Sequence, residues 1–206
     1  MEKTSIFEVL DVSRETILSL QKYIEVLHKW NKSINLVSKA TIFDSWSRHI
    51  EDSAQLWQFV SAEDLKWVDL GSGAGFPGLV VAIIAKEKKR NLRVILIESD
   101  ERKCVFLNEV ARITNVSVEV LNDRVETVPR LEADIVSARA LSSLKNLMIY
   151  SKLHRKNTGK SLFLKGKNIK KEIEMTTDID KFDFELVPSY FHGGGFILKV
   201  GNKIHA

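Results

Sequence analysis

The sequence predicts a doubly wound α/β fold, in which a mostly parallel sheet with an antiparallel C-terminal strand follows a helical extension. Three observations support this prediction. A buried strand, a glycine-rich turn and an apolar helix follow one another over residues 66–84. Strand and helix patterns then alternate as far as residue 177, which is typical of such sheets. Residues 1–64 instead carry apolar side chains at helical spacing.

The extension, residues 1–64, is predicted to contain two main helices. Ser13 is suited to precede the first one, because its hydroxyl can accept a hydrogen bond from a free backbone N–H group. The apolar face of that helix is expected to consist of Ile17, Leu20, Ile24 and Leu27. The second helix is predicted over residues 43–60, with one face formed by Trp46, Ile50, Ala54 and Trp57.

Residues 65–206 are predicted to form the sheet domain, in one compact unit with the extension. Further strands are expected at residues 93–98, 116–121, 134–137, 161–164, 182–187 and 196–200. Further helices are expected at residues 99–114, 142–153 and 168–177. The last two strands are predicted to pair antiparallel, because Pro188 and the glycine run 193–195 favour a turn between them.

The glycine-rich turn fits three overlapping patterns of ligand-binding loops. Residues 73–78 satisfy the dinucleotide pattern GxGxxG, which is a weak signal alone. Their spacing also fits a phosphate-binding loop, but Leu79 and Val80 occupy the positions that need Lys and Ser or Thr. The third pattern is that of class I S-adenosylmethionine methyltransferases, Asp69-x-Gly71-x-Gly73-x-Gly75. Its glycines let the chain approach the methionine part of the cofactor, and Asp69 is expected to face the ammonium group.

The next strands favour S-adenosyl-L-methionine over NAD. Glu98 ends the second strand and can accept hydrogen bonds from both ribose hydroxyls of either cofactor. Polar residues 122–126 follow the third strand and suit the edge of an adenine. The remaining chain is too short for the catalytic domain of many dehydrogenases. A methyltransferase of small molecules or proteins, and a nucleotide- or RNA-binding module without catalysis, remain alternatives.

The distribution of charge indicates a polyanionic partner. The net charge of +4 is modest, but residues 145–171 hold nine Lys or Arg and no Asp or Glu. Nucleic acid is the commonest partner of such a basic run, and a solvated basic face is the alternative. A single cysteine excludes an internal disulfide, and no apolar run has membrane-spanning length. We therefore expect a cytoplasmic protein without a membrane association, and no metal site is predicted.

Several specific motifs are distributed over residues 27–166. They are His28-Lys29-Trp30-Asn31-Lys32 with Asn35-Leu36, Arg48-His49-Ile50 with Asp52-Ser53, Asp69 through Gly78, Glu98-Ser99 with Lys103 and Phe106-Leu107, Arg124-Val125-Glu126, Ser137 with Arg139-Ala140, and Leu164-Lys165-Gly166. This set resembles the ribosomal RNA small-subunit methyltransferase G family, also called glucose-inhibited division protein B. The glycine run 193–195 departs from the family pattern, which tends to have charged residues there.

The resemblance implies that S-adenosyl-L-methionine methylates N7 of guanosine 527 in 16S rRNA. The partner is then the small ribosomal subunit or its assembly intermediate, and a monomer is expected. Together with the loop pattern, the resemblance implies cofactor contacts at Asp69, Gly71, Gly73, Gly75, Phe76, Glu98, Val125, Glu126 and Arg139. The expected RNA-binding residues are Arg48, His49, Arg139, Lys165 and Lys167. From the residues alone, a structural role is favoured for His49.

The predicted reaction needs no general base. Guanine N7 has an in-plane lone pair and no proton, so catalysis should come mainly from alignment of N7 with the methyl group. The sequence has no Asn/Asp-Pro-Pro-aromatic motif, which is typical of exocyclic-amine methyltransferases. Arg139 is the candidate for positioning the reactants, between cofactor and RNA.

Overall fold

One mixed sheet organises the part of the chain that the computed structural model describes, residues 5–88, 91–176, 182–190 and 195–202. The strands are β1 (Lys66–Leu70), β2 (Arg93–Glu98), β3 (Glu119–Asn122), β4 (Ala133–Arg139), β5 (Arg155–Lys165), β6 (Phe182–Pro188) and β7 (Phe196–Asn202). Their order is β3-β2-β1-β4-β5-β7-β6. The first five strands in this order, β3, β2, β1, β4 and β5, run parallel, and β7 is antiparallel to both its neighbours. The predicted fold class is confirmed.

Helices cover both faces of this sheet. Within the described ranges the α-helices are α1 (Ile6–Val9), α2 (Arg14–Trp30), α3 (Lys39–Ile42), α4 (Asp52–Ala54), α5 (Gly78–Glu87), α6 (Glu101–Thr114), α7 (Leu144–His154) and α8 (Ile169–Glu174). Buried side chains of α2, α5 and α6 form one hydrophobic core, and those of α7 and α8 join the core on the other face. In the part of the chain described here, no helix is both long and apolar enough to cross a membrane.

The extension packs directly on the sheet domain. Helix α2 begins where the sequence predicts, because Ser13 Oγ accepts a hydrogen bond from Thr16 N at 3.3 Å. Ser13 N in turn donates to Glu87 Oε1, at the end of α5, at 2.9 Å. Leu20 and Tyr23 of α2 are fully buried in the core shared with α5 and α6. The division between residues 64 and 65 stays a prediction.

The single helix predicted over residues 43–60 is wrong. A π-helical segment, Trp46–Glu51, leads into α4 and then into a 3₁₀ helix, Gln55–Phe59. Gln55 is fully buried, and its Nε2 donates to the Asp52 carbonyl at 2.9 Å and to Ser189 Oγ at 2.9 Å. At this break in helical periodicity, Gln55 therefore bonds to a residue of the distant C-terminal segment. The local spacing of apolar residues could not predict this contact. Segments of π-helix frequently occur at functional sites.

Two strand starts differ from the prediction by three residues or more. Strand β3 starts at Glu119 rather than at residue 116, and β5 starts at Arg155 rather than at residue 161. The start of β5 is irregular, with a register shift opposite Ala133 and Ile135. The buried Arg155 guanidinium donates to the carbonyl of Val200 at 2.8 Å. A charged side chain therefore lies inside the sheet, which the pattern of apolar residues did not indicate.

Candidate active site

The glycine loop, residues 71–77, connects β1 to α5 at the carboxyl edge of the sheet. Gly71, Gly73 and Gly75 have φ angles of +60°, +55° and +89°, in the region that favours glycine. At Gly75 an added Cβ would lie 2.4 Å from Leu79 Cδ1, so the loop needs glycine there for space as well. Helix α5 begins at Gly78, directly after Pro77.

Three side chains hold the loop from outside. Glu98 Oε2 accepts a hydrogen bond from Gly73 N at 2.8 Å, and Tyr23 Oη donates to the Ala74 carbonyl. Asp69 Oδ2 accepts from Gly78 N at 3.2 Å, and its Oδ1 accepts from Ser137 Oγ at 2.6 Å. The loop is therefore fixed by β1, β2, β4 and the extension together.

A cavity of about 570 Å³ opens between the glycine loop and the ends of the strands, and we call it the loop cavity. It is lined by Leu36, Gly71, Ser72, Gly73, Ala74, Phe76, Ile97, Glu98, Ser99, Lys103, Asp123, Arg124, Val125, Glu126, Arg139, Ala140, Leu141, Ser142 and Tyr150. The structure thus brings together the predicted cofactor-binding residues except Asp69 and Gly75. Most of this wall comes from residues that follow β1, β2, β3 and β4.

Asp69 lies beneath the loop rather than in the cavity wall. The side chain is fully buried, and burial raises its pKa to about 6, although the hydrogen bonds from Ser137 and Gly78 oppose this shift. Its contacts support the loop backbone. A direct contact with a cofactor ammonium group stays a prediction.

Some lining residues were missed by the sequence reasoning. Tyr150, from α7, donates a hydrogen bond through Oη to Glu126 Oε1 at 2.7 Å. Leu36, Leu141 and Ser142 also belong to the wall. No local pattern signals Tyr150, because it reaches the cavity from α7, a helix whose buried side chains pack in the core.

A second cavity of about 770 Å³ lies on the other side of Arg139, and we call it the basic cavity. It is lined by Thr41, Ser47, Arg48, His49, Asp52, Arg139, Ala140, Leu164, Lys165, Gly166, Lys167, Glu172, Gly195 and Phe196. All the residues predicted to bind RNA belong to this wall. Arg139 and Ala140 line both cavities. Residues 193 and 194 of the glycine run lie outside the described residues.

Arg139 is fixed at the boundary by an aromatic stack. The Phe76 ring stacks on Tyr23 at 5.1 Å and on His49 at 5.0 Å between ring centroids. Arg139 Cζ lies 5.0 Å from the Phe76 centroid, a cation–π distance, and its Nη1 donates to the Arg48 carbonyl at 3.1 Å. Burial lowers the pKa of Arg139, and the Asp52 carboxylate opposes that shift. The guanidinium is therefore held where the two cavities meet.

The other predicted RNA-binding residues differ in environment. His49 is buried, neither of its ring nitrogens has a hydrogen-bond partner among the described residues, and burial lowers its pKa to about 3. It is therefore neutral at physiological pH. Lys165 pairs with Glu172 at 2.6 Å, whereas Lys167 is exposed. Arg155 of the basic run is buried in the sheet, so the run is not one continuous solvated face.

Comparison with known proteins identifies the family of this chain. The family model of rRNA small subunit methyltransferase G matches residues 16–190. The chain belongs to this family. The ribosomal RNA small subunit methyltransferase G of Ruegeria sp. (strain TM1040) is 45% identical over 93% of each chain. That of a Cereibacter sphaeroides strain is 39% identical over 100% of each chain. The family resemblance predicted from the motifs is confirmed.

Solved structures of distant sequence share the fold. A ribosomal protein L11 methylase from Lactobacillus delbrueckii subsp. bulgaricus has a TM-score of 0.62 at 16% identity, covering 76% of this chain and 79% of the other. A TehB-like SAM-dependent methyltransferase from Corynebacterium glutamicum has a TM-score of 0.54 at 11% identity, covering 74% and 88%. At these identities the likeness shows the class I methyltransferase fold, which this member of the methyltransferase G family therefore shares.

Proposed function

We propose that this member of the methyltransferase G family methylates N7 of guanosine 527 in 16S rRNA of the small ribosomal subunit, with S-adenosyl-L-methionine as methyl donor. The observation that carries this proposal is the pair of cavities that meet at Arg139. One has the glycine loop and carboxylate expected of a methyl-donor site. The other is lined by Arg48, Lys165 and Lys167, as expected of a site for a phosphate-bearing substrate.

The residues of the loop cavity fit the proposed cofactor. Its volume is that of an ordinary small-molecule site. Glu98 Oε2 accepts a hydrogen bond from Gly73 N, and Oε1 accepts one from Asp100 N at 2.9 Å. This carboxylate is therefore fixed at the position proposed to bind the ribose hydroxyls. Val125 and Glu126 would flank the adenine, and Glu126 is oriented by its hydrogen bond from Tyr150.

The proposed mechanism depends on positioning. When bound, S-adenosyl-L-methionine supplies an electrophilic methyl group on a sulfonium. Guanine N7 would offer a lone pair and carries no proton, so no residue of the protein would have to remove one. Arg139 would orient the guanine from the boundary between the cavities. His49, whose pKa of about 3 leaves it neutral, would serve as a wall rather than as a proton carrier.

Mass mapping of rRNA tests this proposal. Purified protein is incubated with S-adenosyl-L-methionine and either small subunits or free 16S rRNA from cells that lack the modification. We expect one N7-methylguanosine, and the faster substrate identifies the partner. Methylation at another atom or position, or of small acceptors alone, would contradict the proposal. Calorimetry with S-adenosyl-L-methionine and with NAD separates it from a nucleotide-binding module. Sedimentation tests the expected monomer.

A further inference from the structure

Two carboxylates line the basic cavity, and they have different surroundings. Glu172 is paired with Lys165, with 2.6 Å between Oε2 and Nζ. Asp52 is half-buried and forms no salt bridge within the ranges that the structure describes. Arg139 and Arg48 stabilise the charged form of Asp52 from a distance, but neither pairs with it directly, so the carboxylate can still accept hydrogen bonds from a ligand.

The Asp52 carboxylate has a fixed orientation. Its Oδ1 accepts hydrogen bonds from Gln55 Nε2 at 2.7 Å and from Ser189 Oγ at 3.0 Å. Gln55 is itself fully buried. These contacts all engage Oδ1, so Oδ2 is the oxygen that they leave for other donors. Burial raises the pKa of Asp52, with Arg139 opposing, which is the environment of a carboxylate that would gain from further N–H groups.

The chemistry of the proposed substrate supplies such groups. A guanine whose N7 faces the loop cavity turns its opposite edge, with N1–H and the exocyclic amine, into the basic cavity. Flipped bases are commonly read by hydrogen bonds to this edge. We propose that Asp52 accepts hydrogen bonds from N1–H and the exocyclic amine of the target guanine and so determines base specificity. This inference rests on the proposed function.

The same arrangement explains why adenine would be rejected. Adenine has an unprotonated N1 and no amine at C2, so its lone pair would face the Asp52 oxygen without a proton between them. A site that is built to accept two hydrogen bonds leaves its own polar group unpaired when the donors are missing, and such sites discriminate strongly. The selection would therefore come from the wall opposite the methyl donor.

Removal of the exocyclic amine tests the contact directly. Small subunits are reconstituted with 16S rRNA that has inosine in place of the target guanosine. The wild-type kcat/KM should fall by about 10- to 100-fold on the inosine substrate, the cost of losing a hydrogen bond to a charged group. In Asp52→Asn, kcat/KM should fall by a similar factor on guanosine. The variant should then distinguish guanosine from inosine by less than about threefold, since the contact is already lost.

The matched control is Glu172→Gln, which alters the other carboxylate of the cavity. It should keep the wild-type ratio between guanosine and inosine, whatever its absolute rate. Asn at position 52 retains an oxygen for the Gln55 and Ser189 hydrogen bonds, and an unchanged melting temperature verifies that the fold is kept. A full wild-type ratio in Asp52→Asn, or an equal loss of the ratio in both variants, would overturn the inference alone. If the wild type forms no N7-methylguanosine, the proposed function falls as well.

Discussion

The loop cavity and the basic cavity share Arg139 and Ala140, but the chain builds them differently. Most of the loop cavity comes from residues that directly follow β1 to β4. Its glycine loop is fixed by backbone hydrogen bonds that Glu98 and Asp69 accept and by one that Tyr23 donates. The basic cavity is assembled from four separate segments, residues 41–52, 139–140, 164–172 and 195–196. These segments include short helices and exposed chain.

The two constructions suit different kinds of ligand. A cavity of fixed backbone is suited to one small molecule, whose shape it can match at low entropic cost. A wall of cationic side chains from separate segments of the chain is suited to RNA, because contacts with phosphates can position an RNA strand without a continuous sequence motif in the protein. Substitutions should therefore affect cofactor binding and RNA binding separately, except at Arg139.

Arg139→Ala should have the largest effect, because it removes the side chain that both cavities share. We expect kcat/KM for methylation of small subunits to fall by about 100- to 1,000-fold, as when one positioning group is lost. The control is Arg112→Ala, on the exposed face of α6, where the arginine pairs with Glu109. Full activity of Arg139→Ala, with the control also active, would remove the proposed link between the cavities.

Replacement of glycine by alanine should destabilise the protein in the glycine loop but hardly at all in the basic cavity. In Gly75→Ala the φ of +89° and the contact with Leu79 act together, and unfolding free energy should fall by about 3 kcal/mol. Gly73→Ala has the strained φ but no neighbour closer than 3.9 Å, so about 1 kcal/mol is expected. Gly166→Ala, in the basic cavity, meets nothing within 4 Å and should change stability by less than about 0.5 kcal/mol. Chemical denaturation measures all three, and equal losses would contradict this ranking.

His49, in the wall of the basic cavity, should make the stability of the fold depend on pH. Its folded-state pKa of about 3 lies below the ordinary value of 6.5, so as pH falls the unfolded chain binds the proton first and stability is lost. Between pH 7 and pH 5 this amounts to about 2 kcal/mol. In His49→Phe the loss over that range should shrink by this amount. Asp69, with a raised pKa of about 6, acts with the opposite sign in both proteins and cancels in the comparison. An identical slope in both would contradict the burial of a neutral His49.

Glu98→Gln should weaken binding of the cofactor without affecting binding of RNA. The amide keeps one oxygen for Gly73 N, but its NH₂ group can no longer accept a hydrogen bond from Asp100 N or from a ribose hydroxyl. Affinity for S-adenosyl-L-methionine should therefore fall by about tenfold, as when one hydrogen bond to a charged group is lost. Calorimetry measures the cofactor and filter binding measures the RNA. The control is Glu101→Gln, on the exposed start of α6. A matching loss of RNA affinity would show that the two cavities are not separate.

Lys167→Ala should have the smallest effect, confined to RNA. This exposed lysine of the basic cavity is proposed to contact a phosphate, so affinity should fall by about threefold and the slope of log K against log salt should shrink by about 0.7 to 1. Lys22→Ala, on the exposed side of α2, is the matched control. Identical slopes for both variants would exclude Lys167 from the interface.

How far the sequence predicts each region follows from its construction. Glu98 is the last residue of β2, and Gly71 and Val125 follow the ends of β1 and β3. Parallel strands bring such residues to one edge, so the loop cavity could be predicted from local patterns. Tyr150 could not, because it reaches the wall from α7. In the basic cavity, basic residues could be singled out by charge and motif. The pairing of Lys165 with Glu172, the orientation of Asp52 and the irregular helix over residues 46–59 depend on tertiary contacts, which spacing does not encode.

A crystal structure with S-adenosylhomocysteine, the demethylated product, tests the assignment of the two cavities most directly. We predict the ribose hydroxyls on Glu98, the adenine beside Val125 and the sulfur directed toward Arg139, with the basic cavity left open for RNA. Electron density for the product in the basic cavity, or a loop cavity that stays empty at saturating concentration, would contradict the account.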